Sequence, residues 1–220
     1  MKKFKIPLEK QHVNYGVPGT TTALGVLAKP ALYGWYYKMG KNGENPFKKK
    51  DKAADIGTIA HAMIMCHLRG WELDTSNLIP DSVSTAENCV LSYYEWEKNI
   101  SLEPILIEEP LTNKEYGGTI DLYAKANGQL WLIDFKTSGG IYTDMFYQLA
   151  AYKNLLEENG HQVDRAIILN IGKGEDDNFQ VKTFKDLSME LEVFKHCLGI
   201  YNIQNPRNDF ATFCKEASDK

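Results

Sequence analysis

The 220-residue sequence predicts a mixed α/β fold, a central mixed β-sheet flanked by helices with an added helical N-terminal part. Three observations predict it. Apolar residues recur at helical spacing up to about residue 99, strand-like runs bounded by turn residues follow from about 104, and a helical stretch then precedes one more apolar strand. A helix, meander, helix, strand order suits a sheet that must cover both its faces.

Taken in order, VPGTTTALGVLAKPALYGWYYKMG (17 to 40) predicts two short helices, the first capped by a threonine among Thr20 to Thr22 and the second opened by Pro30. The linker KNGENPF leads to a longer helix from about Lys50 to Leu68, with Ile56, Ile59, Ala60, Met63, Ile64 and Leu68 on a 3.6 period and Gly70 as its stop. Ser84 and Glu87 have capping-box spacing and start a helix that runs to about Lys98. ILIEEPL, GGTIDLYAKA, QLWLIDFKT and RAIILNIG predict four strands, with a helix from about Thr143 to Glu158 before the last. An amphipathic helix spans about Leu187 to Ile203, and the tail after Asn205 reads as less ordered. No internal repeat or domain linker divides the chain. One domain over 1–220 is expected, with a helical part over 17–99, a meander and helix over 104–160, and a C-terminal strand and helix over 163–203.

With 43% hydrophobic residues the chain has globular composition, and no run approaches the roughly 20 apolar residues that span a bilayer. A soluble, cytoplasmic protein without a membrane partner is expected. Cys66, Cys89, Cys197 and Cys214 contain no CxxC pair, which argues against a zinc knuckle or a disulfide framework and leaves buried free thiols. The formal net charge of -4 does not advertise a nucleic-acid binder, so any such contact must use a local patch. Lys48, Lys49, Lys50 and Lys52 are the best local candidate, although short lysine runs are more often solvated faces.

Asn127-Gly128 is a type I′ hairpin signal, because both central residues of that turn need positive φ. With these two as the loop, Ala126 faces Gln129 and Asp121 falls opposite Asp134. One face of the ribbon then carries Ile120, Leu122, Ala124, Trp131, Ile133 and Phe135 and belongs in the core. The other carries Thr119, Asp121, Tyr123, Leu132, Asp134 and Lys136. Two opposed carboxylates repel unless a cation lies between them, and oxygen ligands of this kind suit Mg²⁺ or Mn²⁺. Lys136 would reach a phosphate oxygen or an attacking water beside that cation. A DxK tripeptide alone is better read as a salt-bridged surface hairpin; aligned against a second aspartate across a defined turn, it favours the metal site.

Three more groups have suggestive spacing. Gln148 and Tyr152 share a helix face at i, i+4, as do Gly57 and His61, where the glycine opens space beside the imidazole. Glu108 and Glu109 end a strand just before the hairpin, where either adds a carboxylate to a metal shell or simply sits on an exposed strand end. A tyrosine in an apolar helix is usually core and a lone helix histidine usually structural, so none of these stands alone. His12, His67, His161 and His196 have no comparable setting. Tyr33, Trp35, Tyr36 and Tyr37 offer rings that stack on single-stranded bases, but core packing is the favoured reading for most of them.

In order, GTIAH (57 to 61), EEPL (108 to 111), GGTID (117 to 121), LIDFKTS (132 to 138) and QLAAY (148 to 152) resemble the motifs of the RecB-like branch of the PD-(D/E)xK nucleases, which pairs GxxxH, a Glu, GxxD, DxKTS and QxxxY. The likeness spans roughly Val17 to Gly160 and is nearest to phage and bacterial exonucleases related to the mitochondrial genome maintenance exonuclease. It implies a restriction-endonuclease-like core and a DNA exonuclease acting on single- or double-stranded ends in recombination, repair or processing. It further implies that Asp121, Asp134 and the Phe135 carbonyl bind the metal with His61 as a further ligand and Glu108 near it; ExPL register favours Glu108 over Glu109. Lys136 would hold the attacking water, with Gln148 and Tyr152 supporting Lys136 and the DNA strand. Relatives that bind an iron-sulfur cluster use one upstream and three clustered C-terminal cysteines, a pattern absent here, so no cluster is expected. A single-strand annealing or recombinase partner is a further expectation from the resemblance. The alternatives are a structure-specific endonuclease of the same fold and a catalytically silent nucleic-acid-binding protein.

Overall fold

Five strands form the main sheet of the computed structural model, which describes residues 2–7, 13–172 and 179–206. His12, Cys214 and the tail from residue 207 lie outside the described residues. The chain opens with β1 (Lys3–Lys5), α1 (Thr20–Ala23), a 3₁₀ turn (Leu24–Val26), α2 (Pro30–Lys41), α3 (Pro46–Arg69), β2 (Glu72–Asp74) and α4 (Pro80–Glu97). Then come β3 (Leu102–Thr112), β4 (Gly117–Ala126), β5 (Gln129–Lys136), α5 (Thr143–Glu158), β6 (Arg165–Asn170), β7 (Gln180–Phe184) and α6 (Ser188–Gln204). The main sheet runs in the order β3-β4-β5-β6-β7, antiparallel except for the parallel β5–β6 pair. A parallel pair needs a crossover, and α5 supplies it.

Two apolar clusters cover the two faces. On one, Leu149, Leu155 and Leu156 of α5 and Phe194 of α6 pack over Tyr123, Leu132 and Ile168. On the other, Ile59 and Ile64 of α3 and Cys89 and Tyr93 of α4 pack over Leu122, Ile133, Phe135 and Ile167. The two helical layers therefore hold the sheet between them, and every side chain of β6 beyond Arg165 is buried. Cys66, Cys89 and Cys197 are buried and free. Among the described residues no helix is long and apolar enough to cross a membrane.

Several boundaries differ from the sequence expectation for local reasons. The long helix begins at Pro46 rather than Lys50, because Asn45 caps it by accepting from the Phe47 and Lys48 N–H groups at 2.9 and 3.2 Å. Its stop is the expected one, Gly70 in the left-handed conformation with φ 63°. Likewise α4 starts at Pro80, a turn before Ser84, so Ser84 and Glu87 lie inside the helix and form no capping box. No threonine caps α1. Gly19 takes that position, and the Thr20 hydroxyl instead donates to the Gly117 carbonyl at 2.9 Å. The short strands β1 and β2 and the edge strand β7 had no apolar run to announce them. Tyr33 and Tyr37 are 68% and 74% exposed rather than core, since α2 docks through buried Met39 and the Trp35, Tyr36 and Phe47 rings.

The hairpin keeps the expected register. Asn127 and Gly128 take φ 49° and 79°, and pairs from Ala126↔Gln129 to Leu122↔Ile133 follow in order. The ladder stops there. Asp121 and Asp134 are not a paired couple, and Ile120 packs with Tyr123 and Leu132 on the α5 side rather than with Leu122 on the α3 side. Strict alternation would put Ile120 and Leu122 on one face. A break in the pleat at Asp121 accounts for the difference, and it coincides with the positive φ of 47° at Glu108 in the neighbouring strand.

Candidate metal centre

His61, Glu108 and Asp121 each offer one ligand atom, and these atoms lie within 4.8 Å of one another. Three elements supply them. His61 projects from α3, a turn after Gly57; a Cβ at Gly57 would stand 2.7 Å from the Thr137 hydroxyl, so the glycine lets α3 approach the end of β5. Glu108 sits where β3 adopts the left-handed φ that non-glycine residues rarely take, an arrangement that persists only when the surroundings impose it. Arg69, the last residue of α3, donates to the neighbouring Ile107 carbonyl. The Asp121 carboxylate accepts from the Phe135 N–H at 2.8 Å and lies 3.8 Å from the His61 ring nitrogen Nδ1. Glu108, not Glu109, is the carboxylate in this group.

Asp134 and Lys136 form a second part of the site. The Lys136 ammonium is 2.5 Å from Asp134 Oδ2, and both side chains are largely withdrawn from solvent. Asp134 Oδ1 is buried with no partner among the described residues. A buried, unpartnered carboxylate oxygen is costly unless something positive meets it. Asp134 thus stands outside the tightest ligand group while retaining an oxygen free for a cation.

Charge is out of balance throughout the site. Burial first, then the Asp121 charge, raise Glu108 above the usual carboxylate range against the pull of Arg69. Burial also raises Asp121, opposed by Lys136 and the Phe135 N–H, and raises Asp134 to about 6 despite Lys136. Burial and the Lys136 charge lower His61 to about 4, which leaves its imidazole neutral near pH 7 and able to act as a ligand. Burial would lower the Lys136 amine as well, but Asp134, Asp121 and Asp144 together hold it above the usual lysine range. Three carboxylates driven toward protonation around a neutral imidazole describe a cluster short of positive charge. The all-oxygen-and-nitrogen donor set fits a hard or borderline divalent cation.

The remaining expected residues gather nearby. The Phe135 N–H donates to Asp121, and the Phe135 ring packs edge-on to His61 and to Tyr93. From the opposite layer, Gln148 donates to the Tyr152 hydroxyl at 2.9 Å. Burial and the charges of Asp134 and Asp121 hold that hydroxyl well above its ordinary range. Tyr152 fills the place a Cβ at Gly118 would need, 2.5 Å from its ring edge. His61 and the Gln148–Tyr152 pair therefore reach the open end of the hairpin from opposite faces of the sheet. The bond this pair makes is internal.

Two contributors had weak sequence signals. Asn170 looked like the end of an apolar strand, yet it is buried and clamps the loop after Lys136, accepting from the Ser138 N–H at 2.9 Å and donating to the Ser138 carbonyl at 3.0 Å. A lone amide in a run of aliphatic residues was its only mark. Arg69 had none, since its role depends on where α3 ends against β3.

No family model matches the chain, and no curated protein matches it. Among solved structures, the chain is similar to a "putative exonuclease" from Eubacterium rectale at 11% identity and a TM-score of 0.46, covering 66% of this chain and 64% of that one. It is also similar to the protein SSO0001, at 11% identity and a TM-score of 0.32, covering 68% of this chain and 74% of the other. The chain thus spans less than two thirds of the Eubacterium rectale protein's length. Neither likeness carries the functional reading, which rests on the site.

Proposed function

We propose that this chain is a divalent-metal-dependent DNA exonuclease with a PD-(D/E)xK core. The observation that carries the reading is the convergence of His61, Glu108 and Asp121 beside the buried Asp134–Lys136 pair. His61, Glu108, Asp121, Asp134 and the Phe135 carbonyl would hold Mg²⁺ or Mn²⁺. Such an ion supplies Lewis-acid charge and a more acidic water for attack on a phosphodiester.

The chain's own residues do the rest. Lys136, fixed by Asp134, places a permanent positive charge where the phosphorane-like charge develops and orients the attacking water. Gln148 and Tyr152 bound the other side and keep the lysine's surroundings dry. Lys50, Gly57 and His61 follow one another at i, i+7 and i+11 and so share a side of α3. Lys50 is exposed roughly 16 Å along the helix from His61, a position from which it would hold a phosphate a few units away from the cut. A local cation of this kind would supply the phosphate attraction that the net charge of -4 does not. The motif order resembling end-processing nucleases supports exonuclease over endonuclease.

The test is digestion of end-labelled linear single- and double-stranded DNA, with a closed circle alongside, in Mg²⁺ or Mn²⁺. Release of labelled mononucleotides or short fragments from linear DNA, with the circle intact and all activity lost in Asp134→Ala and Lys136→Ala, is expected. Cleaved circles would replace the exonuclease reading with an endonuclease. No metal-dependent cleavage of any DNA would overturn the proposal.

A further inference from the structure

Beside the metal centre lies a second concavity of about 420 Å³, lined by Asn14, Tyr15, Val17, Thr21, Thr22 and Thr119 among others, every one of them uncharged. Its back wall is built rather than incidental. The Tyr15 hydroxyl shares a 2.7 Å hydrogen bond with Thr119, and its ring occupies the space a Cβ at Gly117 would need, within 2.5 Å. Thr20 and Tyr152 fill the corresponding space at Gly118, at 2.9 and 2.5 Å. Tyr15 thus covers one face of this end of β4 at Gly117, and Thr20 and Tyr152 of α5 cover the opposite face at Gly118, since successive strand residues point to opposite sides. Along β4, Asp121 follows Thr119 by two residues, roughly 7 Å.

The chemistry of the lining selects among ligands. A phosphate wants lysine, arginine or a metal, and these are at the neighbouring site, not here. Hydroxyls, an amide, a phenol ring and two valines instead suit a neutral body with an apolar face and several hydrogen-bonding edges. The volume lies in the range of small-ligand sites. The larger concavity of about 620 Å³, lined by Thr112, Lys114, Glu115 and Glu158, is at the far end of α5 and carries no such relation to the carboxylates.

We infer that this pocket holds the nucleoside, sugar and base, of one unit of the DNA strand adjacent to the phosphodiester that is cut. The inference rests on the nuclease reading and adds to it a base-contacting subsite, formed by the segment before α1 together with β4. The Tyr15 ring and the hydroxyls of Thr21, Thr22 and Thr119 hold the unit, while Lys136 and the metal ligands act on the phosphate.

The test uses single-stranded oligonucleotides with a single abasic unit placed in turn at each of the last four positions of either end, digested with Mn²⁺ by the full chain and by Thr21→Trp. In the native protein one position is expected at which the missing base lowers kcat/KM about tenfold or more, the order a single base contact contributes. Thr21→Trp, whose indole fills the pocket, is expected to cut the intact strand correspondingly less well and to show no further loss at that position. Its Mn²⁺ affinity and thermal midpoint match the native protein. Cleavage by the native protein that is indifferent to every abasic position overturns the pocket and leaves the nuclease reading standing, as does an unchanged abasic penalty in Thr21→Trp. A native protein that cuts no DNA overturns both.

Discussion

The two ends of the β4–β5 hairpin obey different rules although the same two strands make them. At the turn end, five consecutive pairs keep register, side chains alternate strictly, and both faces are buried in apolar clusters. At the open end the ladder has stopped, Ile120 has changed sides, Glu108 on the flanking strand takes a φ of 47°, and Asp134 holds an unpartnered buried oxygen. Packing explains the first end completely. The second stores strain and unbalanced charge that packing alone would eliminate, and such features persist where a ligand or a reaction uses them.

The comparison breaks most sharply with substitutions that should affect one end only. Asp134→Asn keeps shape and removes charge at the open end; kcat/KM for Mn²⁺-supported DNA cleavage should fall at least 10²- to 10³-fold, the size of a deleted electrostatic contact. Ile133→Ala, one residue away in sequence and inside the regular ladder, should instead cost about 2–5 kcal/mol in urea unfolding while cleavage per folded molecule is retained. Equal losses of activity in both would erase the distinction between the ends.

Glu108→Gly sharpens it further, because it relieves the positive φ and removes a carboxylate together. Metal-free protein should gain about 1 kcal/mol of stability, and Mn²⁺ affinity measured by calorimetry should fall. A loss of stability in EDTA would mean that Glu108 serves the fold.

Proton linkage gives a smaller, graded effect. A carboxylate whose pKa is raised on folding binds its proton more tightly in the native state, so stability falls as pH rises through the interval between the unfolded and folded values. For Asp134 that interval runs from 3.8 to about 6. His61, lowered from 6.5 to about 4, acts in the opposite direction over nearly the same interval, because acidification charges it more readily when unfolded. The two largely cancel below pH 6.5, and the raised Glu108 governs the range above it. Unfolding of metal-free protein should therefore show declining stability as pH rises above 6.5, a slope that saturating Mn²⁺ removes and that Glu108→Gln lacks.

Much of this was legible beforehand. Asn127-Gly128 set the hairpin register through turn chemistry, and Gly57 announced a close neighbour that is Thr137. The grouping of His61 with Asp121 followed from a motif likeness, not from any local rule. What was illegible depended on tertiary partners. The break at Asp121, the strain at Glu108 and the Arg69 contact arise where α3, β3 and β4 meet, and no window of one segment contains that meeting. The exposed Tyr33 and Tyr37 misled for a related reason, since an aromatic helix looks alike whether or not something covers it. At the turn, by contrast, Gly128→Ala should cost only about 1 kcal/mol, because its φ of 79° disfavours a Cβ and nothing else depends on it.

The claim that the open end is a metal centre is tested most directly by an anomalous-scattering map of crystals grown with Mn²⁺. A single strong peak within coordinating distance of His61, Glu108 and Asp121, with Asp134 Oδ1 turned toward it, is the predicted result. A map with no peak there at saturating Mn²⁺, or with its strongest peak at the Glu115 and Glu158 cluster, would contradict it.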